Sequence, residues 1–388
     1  MPSSTEPIEL IATSAFGLEA VVARELKQLG YDEQTVEDGR VTFIADEAAI
    51  CRTNLWLRSA DRVLLKLGSF EALDFGELFD QTKALPWSDW LTADAEFPVR
   101  GKSVRSQLHS VPDCQSIVKK AIVEHLKAVH GQEWFEETGP RYAAEVSILK
   151  DRVTLSIDTS GPGLHKRGYR TLSGKSPLKE TLAAALIQLS YWNRERPLLD
   201  PFCGTGTIPI EAALIGGNMA PGLKREFAAQ RWPRICPAMW ADARTEARDL
   251  ATDDLPVPLI GSDIDQRVLS LARYHATQAG VADHIQLKQR AFTDVTNRRK
   301  FGCLICNPPY GERSGDLESA EALYREMPRV FGKLESWSAY VLTSHPEFES
   351  LFDRRADRRR KLYNGRIECT YYQYLGPPPP WQRGTSRE

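Results

Sequence analysis

At 388 residues, with roughly 100 to 200 residues to a domain, the chain predicts two or three domains rather than one. Hydrophobic residues at 42% and charged residues at 26% are ordinary for a soluble globular protein and argue against collagen-like, low-complexity and wholly disordered chains. The formal net charge of -2 lacks the basic balance of a simple electrostatic nucleic-acid binder, but the total hides a gradient. Residues 1–160 carry 17 Lys plus Arg against 26 Asp plus Glu, whereas the remainder carries 33 against 26. The basic C-terminal part can therefore present a positive face to a polyanion.

The N-terminal MPSSTEPIELIATSAF has neither a basic region nor a long apolar stretch, and no later segment reaches the ~18 uncharged apolar residues of a membrane span. A soluble protein with no membrane partner is expected. Seven scattered cysteines do not form the dense, even framework of a secreted scaffold, so reduced thiols in a cytoplasm are expected. Cys303 and Cys306 make a C-x-x-C, but within the apolar run FGCLICNPPY and without a second Cys or His pair they read as packed strand residues. No metal is expected.

From residue 8, IELIATSA predicts a strand and GLEAVVARELKQLG a helix, whose Leu18, Val22, Leu26 and Leu29 form an apolar stripe closed by Gly30. VTFIAD, RVLLKLGSF and EFPVRG read as strands, AAICRTNLWL and FGELFDQTKAL as helices. DCQSIVKKAIVEHLKAVHG predicts a helix with Gly131 past its end, and YAAEVSILK with RVTLSID predicts a hairpin. These are compact α+β modules. GPGLHKRGYRTLSGKSPLK, free of carboxylates, reads as the linker into a second domain, with Ser176 as N-cap and Pro177 at the first helical position. Leu178, Leu182, Leu186 and Leu189 then mark a helix. The strands RPLLDPFCGTGT, LIGSDID, HIQLKQRAF and CLICNPPY, with the helices IPIEAALI and RVLSLARYHATQAG, predict a doubly wound, Rossmann-like α/β domain that binds ligands at the carboxyl ends of its strands. GPPPPWQRGTSRE reads as an extended Pro-rich tail.

In the first strand-to-helix turn, Asp200-Pro201-Phe202-Cys203-Gly204-Thr205-Gly206, the two glycines allow a ligand to approach the backbone closely. Pro209 stands where G-x-G-x-x-G needs its third glycine, and the next acidic strand end, Asp263, lies about 60 residues on rather than ~20. That weakens a dinucleotide site, and an ordinary tight turn remains the alternative. Asp263, followed by Ile264, sits where a carboxylate can accept from both ribose hydroxyls. Asp265 fits a helix cap better. Asp294 could accept from an adenine amino group, with Phe292 as a wall.

The sharpest motif is Asn307-Pro308-Pro309-Tyr310 at the end of the fourth strand. Two prolines stiffen the backbone and donate nothing, so the Pro308 carbonyl and the Asn307 side-chain oxygen can aim two acceptors at one amino group. Tyr310 offers a flat face for a base. Two cationic clusters could hold a nucleic-acid backbone: Lys166, Arg167, Arg170 and Lys175, with Lys179, at the domain junction, and Arg354, Arg355, Arg358, Arg359, Arg360, Lys361 and Arg366. A solvated charged face is the alternative for both, more so for the second, where Asp353 and Asp357 intervene.

DPFCGTGT, SDID and NPPYGER in this order resemble class I S-adenosylmethionine-dependent methyltransferases of exocyclic amines. More narrowly, LHKRGYR, SPLKETLAAALI, NMAPGLKREFAAQRW and NPPYGER are similar to the bacterial THUMP-domain 23S rRNA guanine-N2 methyltransferases. The resemblance covers nearly the whole chain, FPVRGKSVRSQLHSVPDCQSIVKKAI being its most recognisable stretch before the linker. It implies a ferredoxin-like module over 1–60, a THUMP-like RNA-binding domain over 61–160, a class I methyltransferase domain over 161–376 and a tail over 377–388, with 216–257 as an insertion. S-adenosylmethionine is the implied cofactor, near residues 200–206, Asp263, Ile264, Phe292, Asp294 and Asn307, and RNA, 23S rRNA first and tRNA second, the implied substrate. A DNA-adenine or protein-glutamine methyltransferase, or a non-catalytic RNA binder with a vestigial pocket, are the rival expectations.

Overall fold

The computed structural model describes residues 7–172, 178–311 and 316–380. Ser176, Pro177, Lys175 and the last eight residues of the expected tail lie outside the described residues. The chain divides into two compact units, each discontinuous in sequence.

The first unit comprises Met1–Ser14, Val22–Leu164 and Arg225–Glu246. Its elements are β1 (Ile8–Thr13), α1 (Glu19–Gln28), β2 (Gln34–Glu37), β3 (Arg40–Ala45), α2 (Ala48–Trp56), β4 (Arg62–Glu71), α3 (Phe75–Ala84), β5 (Val99–Val104), α4 (Val111–His130), β6 (Ala144–Leu149) and β7 (Arg152–Asp158). The strand expected at EFPVRG begins later, at Val99, and β2 was not foreseen because QTVE is short and polar. All seven strands form one sheet in the order β2-β3-β1-β4-β7-β6-β5, with only β5 and β6 parallel. The expected boundary at 60/61 falls just before β4, which pairs with both β1 and β7, so the two predicted modules share a continuous sheet. Leu10, Ala12, Val41, Phe43, Val63, Leu65, Val153, Leu155 and Ile157 alternate onto one face and are buried.

The stretch Arg225–Glu246 is anchored in this unit by large side chains. Trp232 is 1% exposed, stacks on Tyr142 at 4.7 Å and donates from Nε1 to the Arg141 carbonyl at 3.0 Å. Arg234 pairs with Glu47 at 2.6 Å and Arg52 with Glu246 at 2.7 Å. Periodicity could not predict this because the partners of each residue lie about 90 to 190 positions away.

The second unit comprises Ala15–Val21, His165–Lys224 and Ala247–Glu388. Its elements are α5 (Glu180–Gln188), β8 (Leu198–Asp200), α6 (Thr207–Gly216), the end of α7 (Pro237–Asp249), β9 (Leu259–Asp263), α8 (Gln266–Ala279), β10 (Ile285–Gln289), β11 (Cys303–Cys306), α9 (Asp316–Gly332), β12 (Ser338–Thr343), α10 (Phe348–Leu351), β13 (Arg358–Asn364) and β14 (Ile367–Tyr374). The sheet order is β10-β9-β8-β11-β12-β14-β13, parallel through β12 and antiparallel at β14 and β13. From β8 the chain winds outward through β9 and β10, then returns to β11 on the other side of β8. A crevice therefore opens between the carboxyl ends of β8 and β11, the place where doubly wound sheets bind ligands.

Buried strands of this kind read as apolar runs because both faces are covered. Leu198, Cys303, Ile305, Tyr340 and Tyr371 face one core, and Leu199, Leu304, Cys306, Val341 and Tyr372 the other. Cys303 and Cys306, three apart on a strand, thus point to opposite faces of the sheet. Both thiols are free and buried, and burial pushes Cys303 up to about 12.

Candidate active site

β8 is only three residues long and delivers Asp200, 1% exposed, to the crevice. Its Oδ1 accepts from the Phe202 amide at 3.1 Å, and burial pushes its carboxyl well up, with the charge of Asp263 adding to the effect. The turn that follows is tied to β9. The Cys203 amide donates to the Ser262 carbonyl at 3.0 Å, and the Gly204 amide to Asp263 Oδ2 at 3.0 Å. Gly204 and Gly206 have φ of +49° and +84°. A Cβ on Gly206 would lie 3.1 Å from the Ala272 Cβ, whereas one on Gly204 would point into open space. Gly206 lets α6 pack against α8, and Gly204 leaves the backbone bare towards the crevice.

At the end of β9, Asp263 is half-buried and its Oδ1 also accepts from the Asp265 amide at 3.0 Å. Asp265 is the N-cap of α8, accepting from the Arg267 amide at 2.7 Å. Ile264 is 72% exposed, an open apolar surface beside Asp263. The Ser262 hydroxyl is buried with no hydrogen-bond partner among the described residues. Asp294 is exposed in a short 3-10 turn, but Phe292 is 6% exposed and stacked on Phe202 at 4.9 Å. Phe292 is therefore core rather than an open wall, and Phe202 is the half-buried member of that pair.

Asn307 follows β11 and is half-buried; its side-chain oxygen accepts from the Tyr310 hydroxyl. The Tyr310 ring packs against the core, burial pushes its phenol up, and Cys369 Sγ lies 3.7 Å from its oxygen. Tyr310 thus orients Asn307 and is not the open platform expected from the motif. Pro308 is buried and Pro309 exposed. The Pro309 carbonyl accepts at 2.7 Å from the hydroxyl of Tyr324, a fully buried residue of α9 whose oxygen is also 3.0 Å from Thr343 Oγ1. Tyr324 holds the turn from behind. No local pattern in ALYREM signals that role, because the carbonyl it serves is 15 residues away.

The first cationic cluster is largely internal. Arg167 is 3% exposed and pairs with the fully buried Glu211 at 3.3 Å, to which Tyr169 also donates at 3.2 Å. Arg170 pairs with Glu180 at 3.2 Å and donates to Thr207 Oγ1, at the start of α6, at 2.5 Å. These guanidiniums neutralise buried carboxylates of α5 and α6, which corrects the expectation that they contact phosphate. Lys166 is exposed. Among the described residues no group of three or more His, Cys, Asp or Glu is placed to hold a metal, and no helix is long and apolar enough to cross a membrane.

The RMKL-like methyltransferase domain family matches residues 167–373, the RlmL ferredoxin-like domain 9–64 and the THUMP domain 72–158. The chain belongs to this methyltransferase family. It is 50% identical over 378 residues to the Bacillus subtilis (strain 168) protein named "Putative RNA methyltransferase YpsC", covering 97% of this chain and 98% of that one. Among solved structures, a "predicted N6-adenine-specific DNA methylase" from Listeria monocytogenes shares 52% identity with a TM-score of 0.92, over 96% of this chain and 97% of the other. SMU.472, "a putative methyltransferase complexed with SAH", shares 44% identity with a TM-score of 0.91, over 97% and 100%. The methyltransferase's cofactor is S-adenosylmethionine. The crevice fits that molecule: the bare backbone at Gly204, the Asp263 carboxylate, the unpartnered Ser262 hydroxyl and the exposed Ile264 surround the carboxyl ends of β8 and β9.

Proposed function

We propose that this methyltransferase modifies the exocyclic N2 of a guanine in 23S rRNA. The observation that carries the proposal is the position of Asn307-Pro308-Pro309-Tyr310, next to the Gly204–Gly206 turn at the topological switch of the sheet. The 200–206 turn would hold the methionine part of S-adenosylmethionine, Asp263 the ribose, and Ile264, Phe202 and Asp294 the adenine. When bound, the cofactor supplies a methyl group already activated by its sulfonium.

The chain's own residues then have mainly to orient the amine. Asn307 Oδ1 and the Pro308 carbonyl accept its two hydrogens, drawing the nitrogen lone pair out of conjugation with the base. Tyr310 already fixes the Asn307 amide by donating to Oδ1, and that oxygen has a second lone pair for the substrate. Tyr324 fixes the next peptide, which leaves the turn little freedom to adjust. Orientation of this kind contributes about 7 to 11 kcal/mol in favourable intramolecular cases. The amine proton leaves after attack, so no general base is required.

RNA is favoured over DNA by the THUMP domain at 72–158 and by the near full-length match to a relative named as an RNA methyltransferase. The RlmL ferredoxin-like domain at 9–64 supports 23S rRNA in particular. Mass-spectrometric mapping of methylated nucleotides in rRNA from a strain lacking the protein tests this. Loss of one N2-methylguanosine from 23S rRNA is expected; unchanged rRNA would redirect the assignment to tRNA.

A further inference from the structure

The second cationic cluster has a different fate from the first. Between residues 354 and 366 the chain has seven Lys or Arg and one acid, Asp357. Most of this run is β13, the edge strand of the methyltransferase sheet, where Arg358, Arg359 and Lys361 are exposed, and Arg366 is exposed in the turn to β14. Three carboxylates answer part of the charge: Arg354 pairs with Asp357, Arg359 with Glu349 and Lys361 with Glu368. Arg355, Arg358 and Arg366 form no ion pair among the described residues.

At the end of β13 the charge meets aromatic surface. Because β13 runs parallel to β12, its last residues lie at the carboxyl end of the sheet, the end that carries Asn307. Tyr363 there meets Phe16 edge-on at 6.1 Å, with Lys361 Nζ 5.6 Å from the Tyr363 ring centre. Phe16 is 49% exposed and Ile367, across the hairpin, 37%. Phe16 belongs to Ala15–Val21, which joins this unit: Leu18 and Val21 enter its core beside Leu362 and Cys369, and Arg360 Nε donates to the Gly17 carbonyl at 3.1 Å. The segment is thus held in place while its phenyl ring faces solvent. Cys369, paired with Leu362 across the hairpin, is the residue whose sulfur lies 3.7 Å from the Tyr310 hydroxyl. Three strand spacings separate β11 from β13, about 14 Å.

A solvent-exposed phenyl ring against a tyrosine that a lysine flanks suits single-stranded nucleic acid, where bases stack on aromatic rings and cations track the backbone. Edge protection alone would explain the charges on β13 but not the exposed Phe16. We infer that Phe16 and Tyr363, with Lys361 and Arg366, bind a single-stranded RNA nucleotide flanking the target, its base on the aromatic pair and its phosphates on the cations. This rests on the RNA substrate proposed above and adds where the flanking strand is held.

The test uses the full chain and 23S rRNA purified from a strain lacking the protein. Filter binding is measured from 50 to 200 mM salt for the unaltered protein, Phe16→Ala and Arg366→Gln, with S-adenosylmethionine affinity and melting temperature measured alongside. Phe16→Ala is expected to weaken RNA binding about tenfold. Arg366→Gln should make the slope of log affinity against log salt shallower by about 0.7. Neither should change cofactor affinity or melting temperature. Unaltered RNA affinity and slope in both variants, with a parent that binds and methylates the RNA, would overturn the flanking site and leave the substrate assignment standing. A parent that binds S-adenosylmethionine but neither binds nor methylates any RNA would remove both. Should Phe16→Ala lower the melting temperature, Arg366→Gln at the exposed turn decides alone.

Discussion

Two cationic clusters that look alike in sequence do opposite things in the fold. Arg167 and Arg170 turn inward onto Glu211 and Glu180, while Arg355 before the edge strand, Arg358 on it and Arg366 in the turn after it face solvent. The linker LHKRGYR contains no carboxylate, which makes its charge look available to a polyanion. Its partners lie 44 and 10 residues onward, on α6 and α5. In 353–366 the interleaved Asp353 and Asp357 suggest a self-neutralised face, yet Arg355, Arg358 and Arg366 keep no ion pair among the described residues. Exposure is decided by where the counter-charges fold, and local composition does not report that.

The largest test of this contrast is Arg167→Met. It leaves Glu211 buried without its cation, and removing one partner of a buried pair costs about 3 to 5 kcal/mol. A large drop in melting temperature is expected; a drop no greater than that of Arg358→Ala would show that Arg167 is not structural. Tyr324→Phe tests a buried polar group that serves the turn instead of a charge. It should lower kcat about tenfold, with S-adenosylmethionine affinity unchanged, because the Pro309 carbonyl loses its donor. Thr343→Val should shift kcat in the same direction by less, and a loss confined to the KM for RNA would argue against positioning.

Asp200 is a buried acid with no ion pair among the described residues, so its pH behaviour sharpens the contrast with Glu211. Its carboxyl is pushed up by burial, so the folded state holds the proton more tightly than the unfolded one. Its contribution to stability is complete below the unfolded value near 3.8 and is lost as pH rises through the higher folded value. Asp200→Asn should therefore flatten the fall in stability above pH ~4, measured by denaturant melts from pH 4 to 8. An unchanged pH profile would mean that the carboxyl is not held neutral. At the small end, Arg358→Ala should change stability by no more than about 0.5 kcal/mol, as expected of a surface side chain.

What was legible in the sequence was whatever lies close together along it. The glycine turn at 200–206 and the Asn307–Tyr310 turn each sit within one strand-to-loop passage, and their apolar strands identify the doubly wound sheet. The fold follows from those turns, and the cofactor from the family resemblance that their motifs carry. Contacts closed over long separations were not legible. Trp232 on Tyr142 and Tyr324 on Pro309 leave no periodic trace, and the apolar stripe that contains Leu18 does not show that Leu18 and Val21 join the methyltransferase core. Phe292 and Tyr310 lie in the turns after β10 and β11, and the sequence assigns both the wrong exposure, because whether a ring faces solvent depends on what packs across from it.

The central claim is that the Asn307 turn methylates a guanine amine in RNA. The most direct measurement supplies the purified protein, or its Asn307→Ala variant, with methyl-labelled S-adenosylmethionine and 23S rRNA from a strain lacking the protein, then identifies the labelled nucleoside by mass spectrometry. N2-methylguanosine should form with the unaltered protein, and its formation should fall at least a hundredfold in the variant, about 2.7 kcal/mol of barrier, with cofactor affinity retained. Label in N6-methyladenosine, or undiminished label from Asn307→Ala, would contradict the account.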